Sequence, residues 1–179
     1  MSPALEHTMV WVPVAVVVAV AMDGWAGLIH GRVWHTALWR LHVSHHRTRP
    51  GRFEANDALS VSHAPIAIAL ILYGCRGTPG VARELAFGVG IGMSLFGVAY
   101  VLVHDGLVHG RLPVQALLSV PFVGGYLGTV VRAHRIHHTG RAGGAPFSLF
   151  FGPWESGAVR ERLTQHAATA SARDPRSTG

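Results

Sequence analysis

"LPVQALLSVPFVGGYLGTVVRAHRIHH", residues 112–138, decides the fold of this chain. Leu112 to Val131 is apolar and long enough to cross a bilayer, which takes roughly 17 to 25 residues of helix. Pro113, Pro121, Gly124, Gly125 and Gly128 interrupt the run, and His134, His137 and His138 close it. Whether the run spans depends on what those histidines must meet.

The composition already points to a membrane. Of 179 residues, 49% are hydrophobic and only 13% charged, where globular proteins average roughly 25% charged. The fifteen basic residues are all arginine. They flank apolar runs instead of forming a stripe interleaved with aromatics, so they fit membrane orientation and exclude nucleic acid as a partner. The single cysteine, Cys75, excludes an internal disulfide and a multi-cysteine zinc site.

Three further segments have spanning length: Val10 to Ile29, Ala58 to Tyr73 and Leu85 to Val103. The first lacks the positive start of a secretory signal and is expected to be an uncleaved span. Arg32, Arg40, Arg47, Arg49 and Arg52 follow span one, and Arg111, Arg132, Arg135 and Arg141 follow span three. Only Arg76 and Arg83 lie between spans two and three. The positive-inside tendency then predicts an outer N-terminus and two cytoplasmic arginine-rich segments. Residues 1–162 read as one membrane domain, and 163–179, which lose periodicity, as a disordered tail.

Ten of the thirteen histidines fall in four groups within those cytoplasmic segments. His30 and His35 form H-x-x-x-x-H, as do His104 and His109; His42, His45 and His46 form H-x-x-H-H, as do His134, His137 and His138. Residues i, i+3 and i+4 share a helix face, and the i+3 and i+4 rings diverge by about 100°, so neighbours can serve two metals. The i, i+5 pairs, roughly 140° apart on an α-helix, require a distorted helix end or a site that they straddle. Imidazole suits iron, zinc, copper or nickel. Ten nitrogens are too many for one ion, whereas five for each of two octahedral ions leave one open position apiece. A structural zinc site takes four and no vacancy. The count favours a dinuclear redox centre of iron.

These features resemble the membrane-bound fatty acid hydroxylase superfamily and, within it, the bacterial β-carotene 3-hydroxylases. "LHVSHHRTRPGRFEANDAL", "VHDGLVHGRLP" and "AHRIHH" carry the resemblance, which covers roughly Val10 to Arg162. It implies an all-α integral membrane protein in which two iron ions and dioxygen hydroxylate carbon 3 of a carotenoid β-ionone ring. The short gap between His35 and His42 favours this over sterol or fatty acyl hydroxylation or desaturation. A histidine-rich metal transporter is disfavoured, because transporters place ligands near the bilayer midplane. With no nucleotide-binding motif or cysteine cluster in the chain, electrons are expected from a reduced, ferredoxin-like donor docking on the cytoplasmic arginines.

That chemistry resolves the opening stretch. Were Leu112 to Val131 a span, His109 and His134 would lie about 30 Å of hydrocarbon apart. A re-entrant or interfacial hairpin is therefore expected, bent at Pro121 and Gly124-Gly125 and forming a mouth for a lipid-soluble substrate. Asp105, four residues before His109, is expected to accept its free ring N–H. Glu54, Asn56 and Asp57 are expected to orient ligands from "HVSHH" or to cap a helix. Asp23, a carboxylate inside span one, needs a partner, expected to be an arginine or a histidine. Arg111 is expected to anchor its helix end at the headgroups.

Overall fold

The computed structural model describes residues 3–47, 53–78, 80–139, 144–157 and 164. The predicted tail thus lies almost wholly outside the described residues, as do Arg49, Arg52 and Arg141. All regular structure among the described residues is helical. Helix α1 (Pro3–Ile29) runs into a π-helical turn (His30–Trp34), and the short α2 (Trp39–His42) follows. Then come α3 (Asp57–Ser60), α4 (Ala64–Cys75) and α5 (Val81–Tyr100), the last continued by a π-helical segment (Val101–Val108). A 3₁₀ turn (Gln115–Ser119) precedes α6 (Val123–Thr139).

Met9–Trp34, Asp57–Cys75 and Val81–Val108 are long and apolar enough to cross a membrane. Val16, Val17, Val20, Ile66, Ile68, Leu95 and Val98 on these helices are each more than half exposed, which suits lipid as the surrounding solvent. The helices meet through small residues instead of interdigitating large ones. A Cβ on Gly88 or Gly92 of α5 would come within 2.7 Å and 2.6 Å of the Trp11 and Ala15 carbonyl oxygens of α1. One on Gly90, across the helix, would come within 2.8 Å of Ala67 O of α4. Any side chain there would push α5 off one neighbour or the other, so the glycines of "GVGIG" serve helix packing.

The stretch at 112–131 is no span. It holds the 3₁₀ turn, a reversal at Pro121-Phe122 and only the first half of α6. Phe122 takes φ 64°, a conformation rare outside glycine, and Val120 ends the turn in extended backbone. The bend falls at Pro121, as the sequence suggests. Of the two glycines, Gly124 is the one the turn needs: a Cβ there would lie 2.0 Å from Leu118 O, whereas Gly125 faces open space. Val130 and Val131 of α6 pack with Val103, Leu107, Leu127 and Leu149 into an apolar cluster. This cluster holds the imidazoles of α6 against those that end α5.

Candidate metal centre

The two H-x-x-x-x-H pairs are the two π-helical segments. His35 N–H donates to His30 O and His109 N–H to His104 O, each at 3.0 Å, which is the i→i+5 bond that defines a π-helix. The wider turn brings residues five apart back to one side. His30 and His35 therefore place their Nε2 atoms 3.2 Å apart, and the His104 and His109 ring centroids are 4.7 Å apart. The distortion expected from the spacing is present at both helix ends.

The ten rings form two sets. His30, His35, His42, His46 and His137 bring one ring nitrogen each within 4.8 Å of one another, and so do His45, His109, His134 and His138. His104 stands beside the second set, its Nε2 3.2 Å from that of His45. Each set thus gathers one π-helical pair and the i, i+4 pair of one H-x-x-H-H. It also gathers the i+3 histidine of the other: His137 crosses to the first set and His45 to the second. The geometry gives a set of five and a set of four with His104 beside it, where the histidine count suggests five and five.

Hydrogen bonds on the outer edges of the rings fix which nitrogen faces inward. His30 Nδ1 donates to Phe147 O (2.8 Å), His42 Nδ1 to Asn56 Oδ1 (2.7 Å), His137 Nδ1 to Gly144 O (2.7 Å) and His104 Nδ1 to Asp105 Oδ1 (2.7 Å). A neutral imidazole that donates at Nδ1 has a bare lone pair at Nε2. Yet the Nε2 atoms of His30 and His42, whose outer nitrogens both donate, lie 3.0 Å apart, and the Nε2 separations of His42 from His46 and of His134 from His138 are 3.2 Å and 2.9 Å. Lone pairs facing one another repel unless a cation lies between them. Protons are poor candidates for it, because burial lowers His42 and His137 to about 4 and His46, His109 and His138 to about 3. His109 Nε2 and His137 Nε2 are buried with no hydrogen-bond partner. Adjacent corners of an octahedron with metal–nitrogen bonds of about 2.1 Å stand about 3.0 Å apart, which matches these separations. Both sets are able to hold metal.

Around them lies a frame the sequence reading found only in part. Asp23 and Gly27 of α1 and Gly31 of the π-helical turn that continues it recur every fourth residue, and residues 147–151 lie against them. Glycine is required there: a Cβ on Gly27 would sit 2.3 Å from Ser148 Oγ, and one on Gly31 2.9 Å from the Phe147 ring. The partner of Asp23 is neither arginine nor histidine. Its oxygens accept the backbone N–H groups of Leu149 (3.1 Å), Phe150 (3.1 Å) and Phe151 (2.7 Å). Glu155, which the sequence reading missed, accepts those of Phe147 (2.7 Å) and Ser148 (3.3 Å). Five consecutive amides are thus held by two carboxylates, and the loop they fix presents the carbonyl that orients His30. The buried carboxylate and the D-x-x-x-G-x-x-x-G spacing were the available signals.

Asp105 binds His104, not His109. In α-helical geometry i+4 is the neighbour, but this segment is π-helical, and the carboxylate turns to the adjacent ring. Asn56 serves His42 directly, and Ser44 Oγ accepts the Asn56 N–H at 3.0 Å. Glu54 lies 3.7 Å from His45 Nδ1. Among the described residues Asp57 bonds to no histidine; it accepts the Glu54 N–H (2.9 Å) and two bonds from Arg111 (2.8 and 3.1 Å). Arg111 also lies 3.6 Å from Glu54 and 3.7 Å from Asp105. It is not a headgroup anchor: three carboxylates enclose it because they stand beside the second set, and their hydrogen bonds and charges raise its pKa.

The sequence of residues 15–157 matches the model of the fatty acid hydroxylase family. Beta-carotene 3-hydroxylase 2, chloroplastic, of Arabidopsis thaliana is 46% identical over 137 residues, covering 76% of this chain and 44% of that protein. Beta-carotene hydroxylase 1, chloroplastic, of Capsicum annuum is 44% identical over 137 residues, 76% of this chain and 42% of that one. The chain thus spans less than half the length of these plant relatives. Beta-carotene hydroxylase of Pseudescherichia vulneris is 39% identical over 140 residues, 77% of this chain and 74% of that protein. No solved structure matches.

Proposed function

The chain belongs to the fatty acid hydroxylase family, and from that membership we propose that it is a membrane-bound di-iron monooxygenase that hydroxylates carotenoid β-ionone rings at carbon 3, converting β-carotene to zeaxanthin. One observation carries the metal chemistry: a set of five histidines and a set of four beside His104 bring ring nitrogens together, and acceptors at the outer nitrogens of His30, His42, His104 and His137 leave their Nε2 lone pairs bare. The activity named for the relatives supports the substrate, above all the Pseudescherichia vulneris protein, most of whose length is matched.

Two ferrous ions, when bound, supply the binding and reductive activation of dioxygen. His30, His35, His42, His46 and His137 would hold one, and His45, His104, His109, His134 and His138 the other. The chain's own residues prepare that site. Phe147 O, Asn56, Gly144 O and Asp105 hold the rings in the tautomer that leaves Nε2 free, the usual task of outer partners. Trp34, Tyr100 and Phe147 line a narrow pocket beside His30, His104 and His134 and keep water from it. The overall reaction inserts one oxygen atom into a C–H bond and releases the other as water, consuming two protons and two electrons. Arg40, Arg47, Arg132 and Arg135 are exposed and follow the ends of spans one and three. They are the docking charges for a reduced ferredoxin on the cytoplasmic face.

Expression in a host that accumulates β-carotene tests the reading. Zeaxanthin and β-cryptoxanthin are expected from the wild type and neither from His137→Ala, with less iron in the purified variant. Unchanged β-carotene beside a hydroxylated sterol or fatty acid would replace the substrate; full activity in His137→Ala would remove the metal assignment.

A further inference from the structure

A cavity of about 350 Å³ opens between α1 and α5, on the part of the helices whose outer residues face lipid. Ala19 and Asp23 of α1, Leu95 and Ala99 of α5, and Phe150 and Phe151 of the following loop line it. A second, deeper pocket has the same three walls, nearer the histidines. Ala26 and His30 continue the α1 wall, Tyr100 and His104 the α5 wall, and Phe147 and Leu149 the loop. Along the two helices the lining passes from Asp23 and Ala99 of the first cavity to Ala26 and Tyr100 of the second, which orders the two along one groove. From Ala19 to His30 the helix rises about 16 Å.

We propose that this groove is the carotenoid-binding site, with a β-ionone ring entering tip first from the bilayer and the polyene trailing through the outer cavity into lipid. The proposal rests on the function given above and adds the route and the residues that line it. Carbon 3 is at the outer tip of the ring, so end-on entry presents it to the metal side and needs a slot that is deep, not wide. The outer cavity also suits a hydrocarbon better than a polar lipid. Its one charged wall residue, Asp23, has both oxygens occupied by the three loop amides. No cation lines it to receive an acyl carboxylate. At about 350 Å³ it falls near the lower end of small-molecule pockets, about 300 to 1,000 Å³, room for part of a long polyene. The deeper pocket is tight at about 20 Å³, roughly the space of one water. The ring tip therefore enters it by displacing side chains, while Asp23 and Glu155 keep the loop backbone in place.

Ala19 and Ala99 line the outer cavity from α1 and α5, so a larger side chain at either narrows it. Ala19→Phe and Ala99→Phe should each lower β-carotene hydroxylation at least tenfold in the producing host, with wild-type iron content in the purified protein. Val98→Phe, on the lipid-facing side of α5 and 61% exposed, should convert as the wild type does. β-Carotene retained by the purified holoprotein, read from the polyene's visible absorption, should fall in the two alanine variants only. If phenylalanine prevents accumulation, Ala19→Val and Ala99→Val should show a smaller loss in the same order. Wild-type turnover and retention in all the alanine variants would overturn the groove while leaving the functional reading intact. A wild type that neither binds nor converts β-carotene would overturn both.

Discussion

Asn56 shows how much a single amide decides. It is 2% exposed, and its oxygen accepts the hydrogen bond from the outer nitrogen of His42, itself 1% exposed. Without that acceptor the ring is free to turn or to carry its proton at Nε2, where the metal must bind. Asn56→Leu should weaken metal binding about 10- to 100-fold, the usual effect of removing an outer partner, as measured by competition with a chelator. Asn56→Asp, which keeps an acceptor, should restore most of it; equal affinity in the leucine variant would remove this role. At this scale the sequence discloses residue types better than partners. Asp23 was legible as a carboxylate in need of a partner, but the three amides that satisfy it lie 126 to 128 positions away, and backbone amides carry no sequence signature. Asp105 was misassigned for a local reason, because four residues mark a neighbour only while the helix remains α.

At the scale of elements, the H-x-x-x-x-H spacing is the signature of the widened turn. Five residues match the π-helical hydrogen bond, and the bond appears at both pairs. Deleting Val33 turns the first pair into i, i+4 and returns the turn to α-helical register. Iron per chain should then fall by at least half, with helical circular dichroism almost unchanged, since one π turn is a small part of the helix. Full iron content would mean that the pair does not depend on the wide turn. The hairpin before α6 was legible for a different reason. Hydropathy alone favours a span at 112–131, and the need to bring His134 to His109 excludes it. The loop at 147–151 was not legible, because nothing in "FSLFF" announces that five amides in a row will be consumed by two carboxylates.

For the whole molecule, three spanning helices joined through glycines make a frame, and the histidines gather where two of those helices unwind into π turns. The ten grouped histidines could be counted from the sequence; the exchange of His45 and His137 between sets could only be glimpsed from the angle between i+3 and i+4. That exchange means neither set is complete within one half of the chain, since 30–46 lacks His137 and 104–138 lacks His45. An ion bound in either set ties the two halves together and so fixes a histidine that belongs beside its neighbour's ligands. The second ion meets a site whose ordering cost has already been met by the first. Metal uptake should therefore be all-or-none: with one equivalent of ferrous ion, native mass spectrometry of the metal-free protein should find chains with two ions and chains with none outnumbering those with one. A predominance of singly loaded chains would show the sets to fill independently. Under iron scarcity, such a chain divides its population into competent and empty molecules, and activity tracks the number of filled chains instead of declining within each one.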